Sequence, residues 1–264
     1  MQAATFSVVS HGHGTLLRAL LGDMNRAPAL KGARVIVTLN LPDEPFESTP
    51  FPNLDIEVLK NSRPLGFGAN HNQAFLRCRT PWFVILNPDL RFADTEPFTA
   101  LLDHGGRHAR TALVAPQVVS SSGAPEDSVR ANLTPWSLIE RHLLGRRRPL
   151  PASQPACLGQ PFFWVAGMCL CMNSEAFAAV GGFDERYFLY CEDCDLCARL
   201  YIAGYALEFD RSVRVVHDAQ RDSHRSLKHL RWHLASLAKY WMSKGFWKIV
   251  FAPLAHKKRG TSLR

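Results

Sequence analysis

Apolar residues along this chain fall into short runs separated by polar, glycine-bearing joints. "TFSVVSHGH" (5–13) opens as a β-rich run and passes into a small polar turn. Leu16, Leu17, Leu20 and Leu21 follow at helical spacing, so the opening predicts strand, loop, helix. "ARVIVTLNLP" (33–42) alternates little, as a strand buried on both faces does, and "LDIEVLKN" (54–61) reads as a third strand. "GFGANHNQAFLRC" starts with glycines and polar residues and continues as a helix, and "WFVILNPDL" (82–90) is a fourth strand ending in Asn-Pro-Asp. Such alternation predicts an α/β domain built on a parallel, doubly wound sheet.

The rhythm then changes. "TALVAPQVVSSSGAPEDSV" (111–129) predicts a strand and a Ser/Gly/Pro loop, and residues 130–160, with a basic run and several prolines, predict an excursion. "FFWVAGMCLCMN" (162–173) predicts one buried strand leading into the helix "SEAFAAV". After the turn "GGFDERYFLY", "CEDCDLCARLYIAG" predicts a helix ended by Gly204. "YALEFDRSVRVVHD" (205–218) predicts one or two strands, and the remainder is amphipathic, basic and helical.

Composition narrows the picture. With 264 residues, 47% of them hydrophobic, the chain is long enough to bury a substantial core. No basic region followed by an apolar stretch opens it, and no run is apolar for long enough to span a bilayer, so a cytoplasmic protein is expected. Seven cysteines, an odd number, predict reduced thiols rather than a disulfide framework. A net charge of +8 favours anionic partners: nucleic acid, phosphorylated small molecules or an acidic membrane surface.

The chemistry concentrates in four places. Cys191, Cys194 and Cys197 match the start of an iron–sulfur ligand run, but Tyr201 stands where the fourth cysteine belongs, so packing is the better reading. Among them lie Glu192, Asp193 and Asp195. Asp195 with Arg199 suits an i,i+4 pair, whereas Glu192 and Asp193 follow an aromatic loop at a strand-to-helix junction, where a carboxylate accepts a proton from a hydroxyl. Asp89, just past a buried strand, reads equally as a turn residue or as a hard ligand for Mg²⁺ or Mn²⁺. "NSRPLGFGANHN" (61–72) offers Gly66, Gly68, Asn70 and Asn72 either to a sugar or phosphate or to plain helix capping, and His217, after an apolar strand, reads more readily as a structural histidine than as a third ligand.

In their order, "NSRPLGFGANHNQAF", "FVILNPDLRF", "FFWVAGMCLCMNSEAFAAVGGFDERYFLYCEDCDLCARL" and "VRVVHD" make the chain resemble bacterial family 2 glycosyltransferases, in particular the rhamnosyltransferase-like group of surface-polysaccharide synthesis. The resemblance implies a GT-A fold over residues 1–225, a Rossmann-like, mostly parallel sheet flanked by helices. A basic helical extension, 226–264, would follow. It implies a nucleotide-sugar donor, a glycan or lipid-linked glycan acceptor, and a divalent metal, Mg²⁺ or Mn²⁺, on the donor diphosphate. Asp89 and His217 would hold that metal, Asn40, Gly66, Gly68, Asn70, Asn72 and Asn87 would line the donor, and Asp193, with Glu192 as second candidate, would be the base of an inverting transfer.

Two departures stand out. Relatives carry a Tyr-Asn-type loop after strand one and an Asp-Asn pair after strand two that reads the base. Here those places hold "SHGHG" and "VTLNLP", with Asn40 but no preceding aspartate, which leaves dTDP, UDP and GDP open. Trp232, Trp241, Phe246 and Trp247 among lysines and arginines suit either an anionic membrane surface or packing on the catalytic domain. The competing readings are a non-catalytic nucleotide-sugar-binding relative and, more remotely, a basic nucleic-acid-binding protein. The latter leaves the acidic residues without a role, so no nucleic-acid partner is expected.

Overall fold

The computed structural model describes residues 3–92, 96–142, 145, 155–217 and 227–259. Its first half is built as the alternation predicts. β1 (Ala4–Ser10), β2 (Ala33–Leu39), β3 (Leu54–Lys60) and β4 (Trp82–Leu86) are parallel neighbours, with α1 (Gly14–Arg26) and α2 (Phe67–Phe75) as connections. The sheet has eight strands in the order β3-β2-β1-β4-β9-β6-β10-β5. Its second half comprises β5 (Leu90–Arg91), β6 (Thr111–Ser120), β9 (Cys169–Asn173) and β10 (Ala206–His217). β10 runs parallel to β6, while β9 is antiparallel to β4 and β6, and β5 is antiparallel to β10.

Both faces of the sheet are covered, which is why its strands read as continuous apolar runs. Phe83 and Ile85 of β4 join one core cluster, and Trp82, Val84 and Leu86 join the other. On the second face α1 buries Leu17, Leu20, Leu21 and Met24, beside α3 (Phe98–Gly105). The first face carries α2, α5 (Ser174–Ala179) and α6 (Glu192–Ile202). The α4 helix (Pro135–His142) lies in the predicted excursion, and the arginine run 146–148 falls outside the described residues.

One predicted element divides. Phe162–Asn173 is two strands, β8 (Phe163–Val165) and β9, which belong to different sheets. β8 pairs with β7 (Val129–Ala131) in a small antiparallel ribbon. Between them the backbone leaves the ladder: Ala166 N donates to Ser128 O at 2.7 Å and Gly167 N to an Asp193 carboxylate oxygen at 3.0 Å. A run apolar throughout carries no periodicity that marks such a break, and only Gly167 hints at it.

The last helices, α7 (Leu227–Trp241) and α8 (Lys244–Arg259), pack on α6 through Leu237, Tyr240, Phe246 and Ile249, all in its core cluster. Tyr240 Oη donates to Asn132 Oδ1 and Trp241 Nε1 to Leu133 O, each at 2.7 Å. Burying each large apolar side chain contributes roughly 1.5–3 kcal/mol. Among the described residues no helix is long and apolar enough to cross a membrane.

Candidate active site

The site forms at the carboxyl edge of the sheet, where β4 ends. Asn87 N donates to Met168 O at 2.9 Å, which ties the Asn-Pro-Asp turn to the 166–168 link, and the Asn87 side chain makes no hydrogen bond among the described residues. The turn delivers β5, whose Leu90 registers opposite His217 at the end of β10. Asp89, remote in sequence, therefore meets His217: Oδ2 lies 3.1 Å from Nε2. His217 Nδ1 lies 2.7 Å from Glu126 Oε2, in the turn after β6. Burial alone would lower the His217 pKa, but the flanking Asp89 and Glu126 carboxylates outweigh it and raise it. The other Asp89 oxygen, Oδ1, is buried without a hydrogen-bond partner. β5 is held from behind by Asp23 of α1, whose buried carboxylate takes Arg91 in a two-pronged grip at 2.7 and 3.0 Å.

The second half of the site begins at α6. Tyr190 and Cys191, immediately before it, have φ of 72° and 64°. Two consecutive left-handed non-glycine residues cost on the order of 1–3 kcal/mol each, and such strain concentrates at functional sites. It orients the first turn of α6, where the Asp193 oxygens accept from Cys194 N at 2.8 Å and Gly167 N at 3.0 Å. A Cβ on Gly167 would stand 2.9 Å from the tip of the Phe67 ring, so a side chain here would displace that ring. Glu192 is buried beside it, with Oε2 unpartnered. Burial, reinforced by the Asp193 charge, pushes the Glu192 pKa well up. Burial also raises Asp193, against which the Cys194 and Gly167 amides and Arg130 work. The pair is therefore asymmetric: Asp193 is the carboxylate with backbone amides to support its charge, and Glu192 keeps a proton more readily.

The residues that the resemblance assigns to the donor form a braced loop. Asn40 Oδ1 accepts from Asn61 Nδ2 and Leu65 N, both at 2.8 Å, and Asn40 Nδ2 donates to Leu65 O at 3.0 Å and His11 Nδ1 at 3.1 Å. Asn70 bonds Asn61 at 2.7 Å and the Leu65 and Gly66 carbonyls. Asn72 lies apart, clamping the 183–185 turn through Phe183 and Glu185. A Cβ on Gly66 would meet Phe188 O at 2.6 Å, and one on Gly68 would meet Phe183 Cβ at 2.5 Å. These glycines let the loop dock against the segment that precedes α6.

No family model matches the sequence. Over 237 residues the chain is 29% identical to N-acetylglucosaminyl-diphospho-decaprenol L-rhamnosyltransferase of Mycobacterium tuberculosis, covering 80% of this chain and 74% of that protein. Over 254 residues it is 27% identical to rhamnosyltransferase WbbL of Escherichia coli, covering 88% and 90%. Among solved structures it superposes on GalNAc-T7 with UDP, GalNAc and Mn²⁺, with a TM-score of 0.64 and 13% identity, over 91% of this chain and 48% of that one. The mannosyltransferase PcManGT from Pyrobaculum calidifontis, in complex with GDP-Man and Mn²⁺, matches with a TM-score of 0.60 and 15% identity, over all of this chain and 76% of that one. The fold is GT-A, and the chain is a relative of bacterial rhamnosyltransferases.

In this rhamnosyltransferase relative, Asp195 takes the helix role, bonding Arg199 at 2.7 Å, while Arg199 Nη1 reaches Val180 O at 2.6 Å. The thiols of Cys191, Cys194 and Cys197 are buried, and burial raises all three, Cys197 to about 12, so they are neutral packing groups. Two carboxylates escaped the sequence reading. Glu126 sits in a Ser/Gly/Pro loop where nothing local marks it, and only the fold brings it to His217. Glu44 lies after β2, where the aspartate of the base-reading pair is missing; its carboxylate accepts from Ser10 Oγ, and Oε2 is buried without a partner. The "PDEP" turn that holds it was the available signal.

Proposed function

We propose that this protein is an inverting glycosyltransferase that moves a sugar, rhamnose by analogy with its relatives, from a nucleotide-diphosphate donor to a hydroxyl of a glycan or lipid-linked glycan in surface-polysaccharide synthesis. The observation that carries this reading is the 166–168 link: Met168 O receives the Asn87 amide on one side, and Gly167 N binds Asp193 on the other. The turn that carries a donor-side carboxylate, Asp89, and an acceptor-side carboxylate, Asp193, are thereby tied to one short strap. Asp193 accepts the proton of the acceptor hydroxyl as it attacks from the face opposite the leaving diphosphate, which inverts the anomeric centre. The two amides on Asp193 fix the carboxylate in place for that transfer, and Glu192, whose pKa burial pushes up, lies beside it.

Asp89 and His217 suit a divalent cation: a buried, unpartnered carboxylate oxygen and an imidazole nitrogen. Mg²⁺ or Mn²⁺ would take its remaining ligands from substrate phosphates and water. When bound, the cation neutralises the charge that develops on the leaving diphosphate. Glu126 holds His217 from the other side and orients its ring.

A panel of dTDP-, UDP- and GDP-sugars with Mn²⁺, followed by nucleoside diphosphate release with and without a lipid-linked acceptor extract, tests the reading. Release from one donor, abolished by EDTA and in Asp193→Asn, supports it. Donor binding with no turnover would favour the non-catalytic nucleotide-sugar-binding relative. The protein is further proposed to work at the inner face of an anionic membrane. Leu230, Leu234, Met242, Trp247 and Phe251 are exposed on and around α7 and α8, among lysines and arginines.

A further inference from the structure

The segment between the donor-side loop and the carboxylate pair carries a wall of rings that the transfer chemistry above leaves unused. Phe188 is tied to the donor side, its carbonyl accepting from Phe67 N at 2.9 Å, and Tyr190 stands two residues before Glu192. Both meet α7. The Trp232 ring lies 4.7 Å from Phe188 with the planes 34° apart. Tyr190 Oη hydrogen bonds with His229 Nδ1 at 2.9 Å, and its ring meets His233 edge-on at 5.1 Å. His229 meets Trp232 edge-on at 5.2 Å, which closes the cluster. Phe188 is 37% exposed, and Tyr190, His229, Trp232 and His233 are half-buried, so ring area remains open.

Position gives this wall its meaning. Tyr190 is separated from the carboxylate pair by Cys191 alone, and burial raises its hydroxyl pKa. The left-handed turn at Tyr190 and Cys191 sets the rings and the carboxylates on one hinge. A pyranose has a face of C–H groups, which packs on the negative face of an aromatic ring, and a rim of hydroxyls, which suits imidazole and phenol edges. Resting on the transferase reading, we infer that Phe188, Tyr190 and Trp232, braced by His229 and His233, form the platform for the acceptor sugar. The sugar stacks on the rings with its reacting hydroxyl turned toward Asp193.

Saturation-transfer NMR on the full chain with methyl β-N-acetylglucosaminide as the probe tests the platform. The wild type is expected to saturate the ring protons of the glycoside. Phe188→Ala and Trp232→Ala are expected to bind it about tenfold more weakly, the worth of one lost aromatic contact, while Trp232→Tyr retains binding. Affinity for the nucleotide-sugar donor, titrated in parallel, is expected to stay the same in all variants, because a merely structural role would weaken donor and glycoside together. No saturation in the wild type, equal binding in the alanine variants, or a matching loss of donor affinity would each overturn the platform. If no donor is turned over by the wild type, the transferase reading fails instead, independently of the glycoside result.

Discussion

Asp193 and Glu192 are neighbours in sequence, yet one carboxylate receives two backbone amides and the other has an oxygen with none. That difference makes the assignment testable residue by residue. Asp193→Asn is expected to lower turnover about 10²- to 10⁴-fold, the usual worth of a general base, with donor affinity retained. Glu192→Gln, which mimics the protonated acid, is expected to keep most activity; nucleoside diphosphate release by both variants settles the order, and a dead Gln variant with an active Asn variant would reverse the roles. The acid limb of the wild-type rate profile is expected above the ordinary carboxylate range of about 4, because burial raises both groups. Stability follows the same sign. A raised carboxyl pKa in the folded state favours folding at acid pH and loses that contribution as pH rises through the folded value. The melting temperature of Glu192→Gln relative to wild type is therefore expected to increase from about pH 4.5 upward, measured without ligand.

The elements that matter most are short and irregular. The 66–67 backbone docks on Tyr187 and Phe188, the 166–168 link sits between Phe67 and Asp193, and glycine makes each contact possible. Gly66 has an ordinary φ of −68°, so it is close approach, not backbone torsion, that excludes a side chain. The obstructing atoms are the backbone of Tyr187 and Phe188, which cannot rotate aside. Gly66→Ala is expected to cost about 1–3 kcal/mol of stability in urea unfolding, as overpacking does, and to lower turnover by shifting the turn that aims Asp193. An unchanged unfolding midpoint would show that this docking is looser than the distances indicate.

At the scale of the molecule, α7 and α8 present two faces with different work. Phe246 and Ile249 lie in the core against α6, whereas Trp247 and Phe251 stack at 5.7 Å on the outside. Phe246→Ala is expected to destabilise by about 3–5 kcal/mol. The double variant Trp247→Ser, Phe251→Ser is expected to melt near wild type yet float less well with vesicles containing anionic lipid. Equal flotation would remove the membrane proposal. A truncation before Lys244 would confound the two faces, since it removes core and surface together.

Periodicity determined the first half of the sheet, α1, α2, α6 and the approximate ends of β4, because burial on both faces of a parallel strand and on one face of a helix writes itself into residue order, whereas α3 and α4, eight residues each, are too short to show a period and were not read from it. The Asn-Pro-Asp and Glu-Asp segments were legible for the same reason: each directly follows or opens an element that could be read. The tertiary structure decided what depends on contacts between distant segments. It split Phe162–Asn173 into two strands, because backbone partners, not side-chain polarity, end β8. It turned Asn40 and Asn70 inward to brace one loop and set Asn72 to clamp the 183–185 turn, and it delivered Glu126 to His217 and Asp23 to Arg91. A hydrogen bond between residues far apart in sequence leaves no period in the chain, so only the fold reveals it.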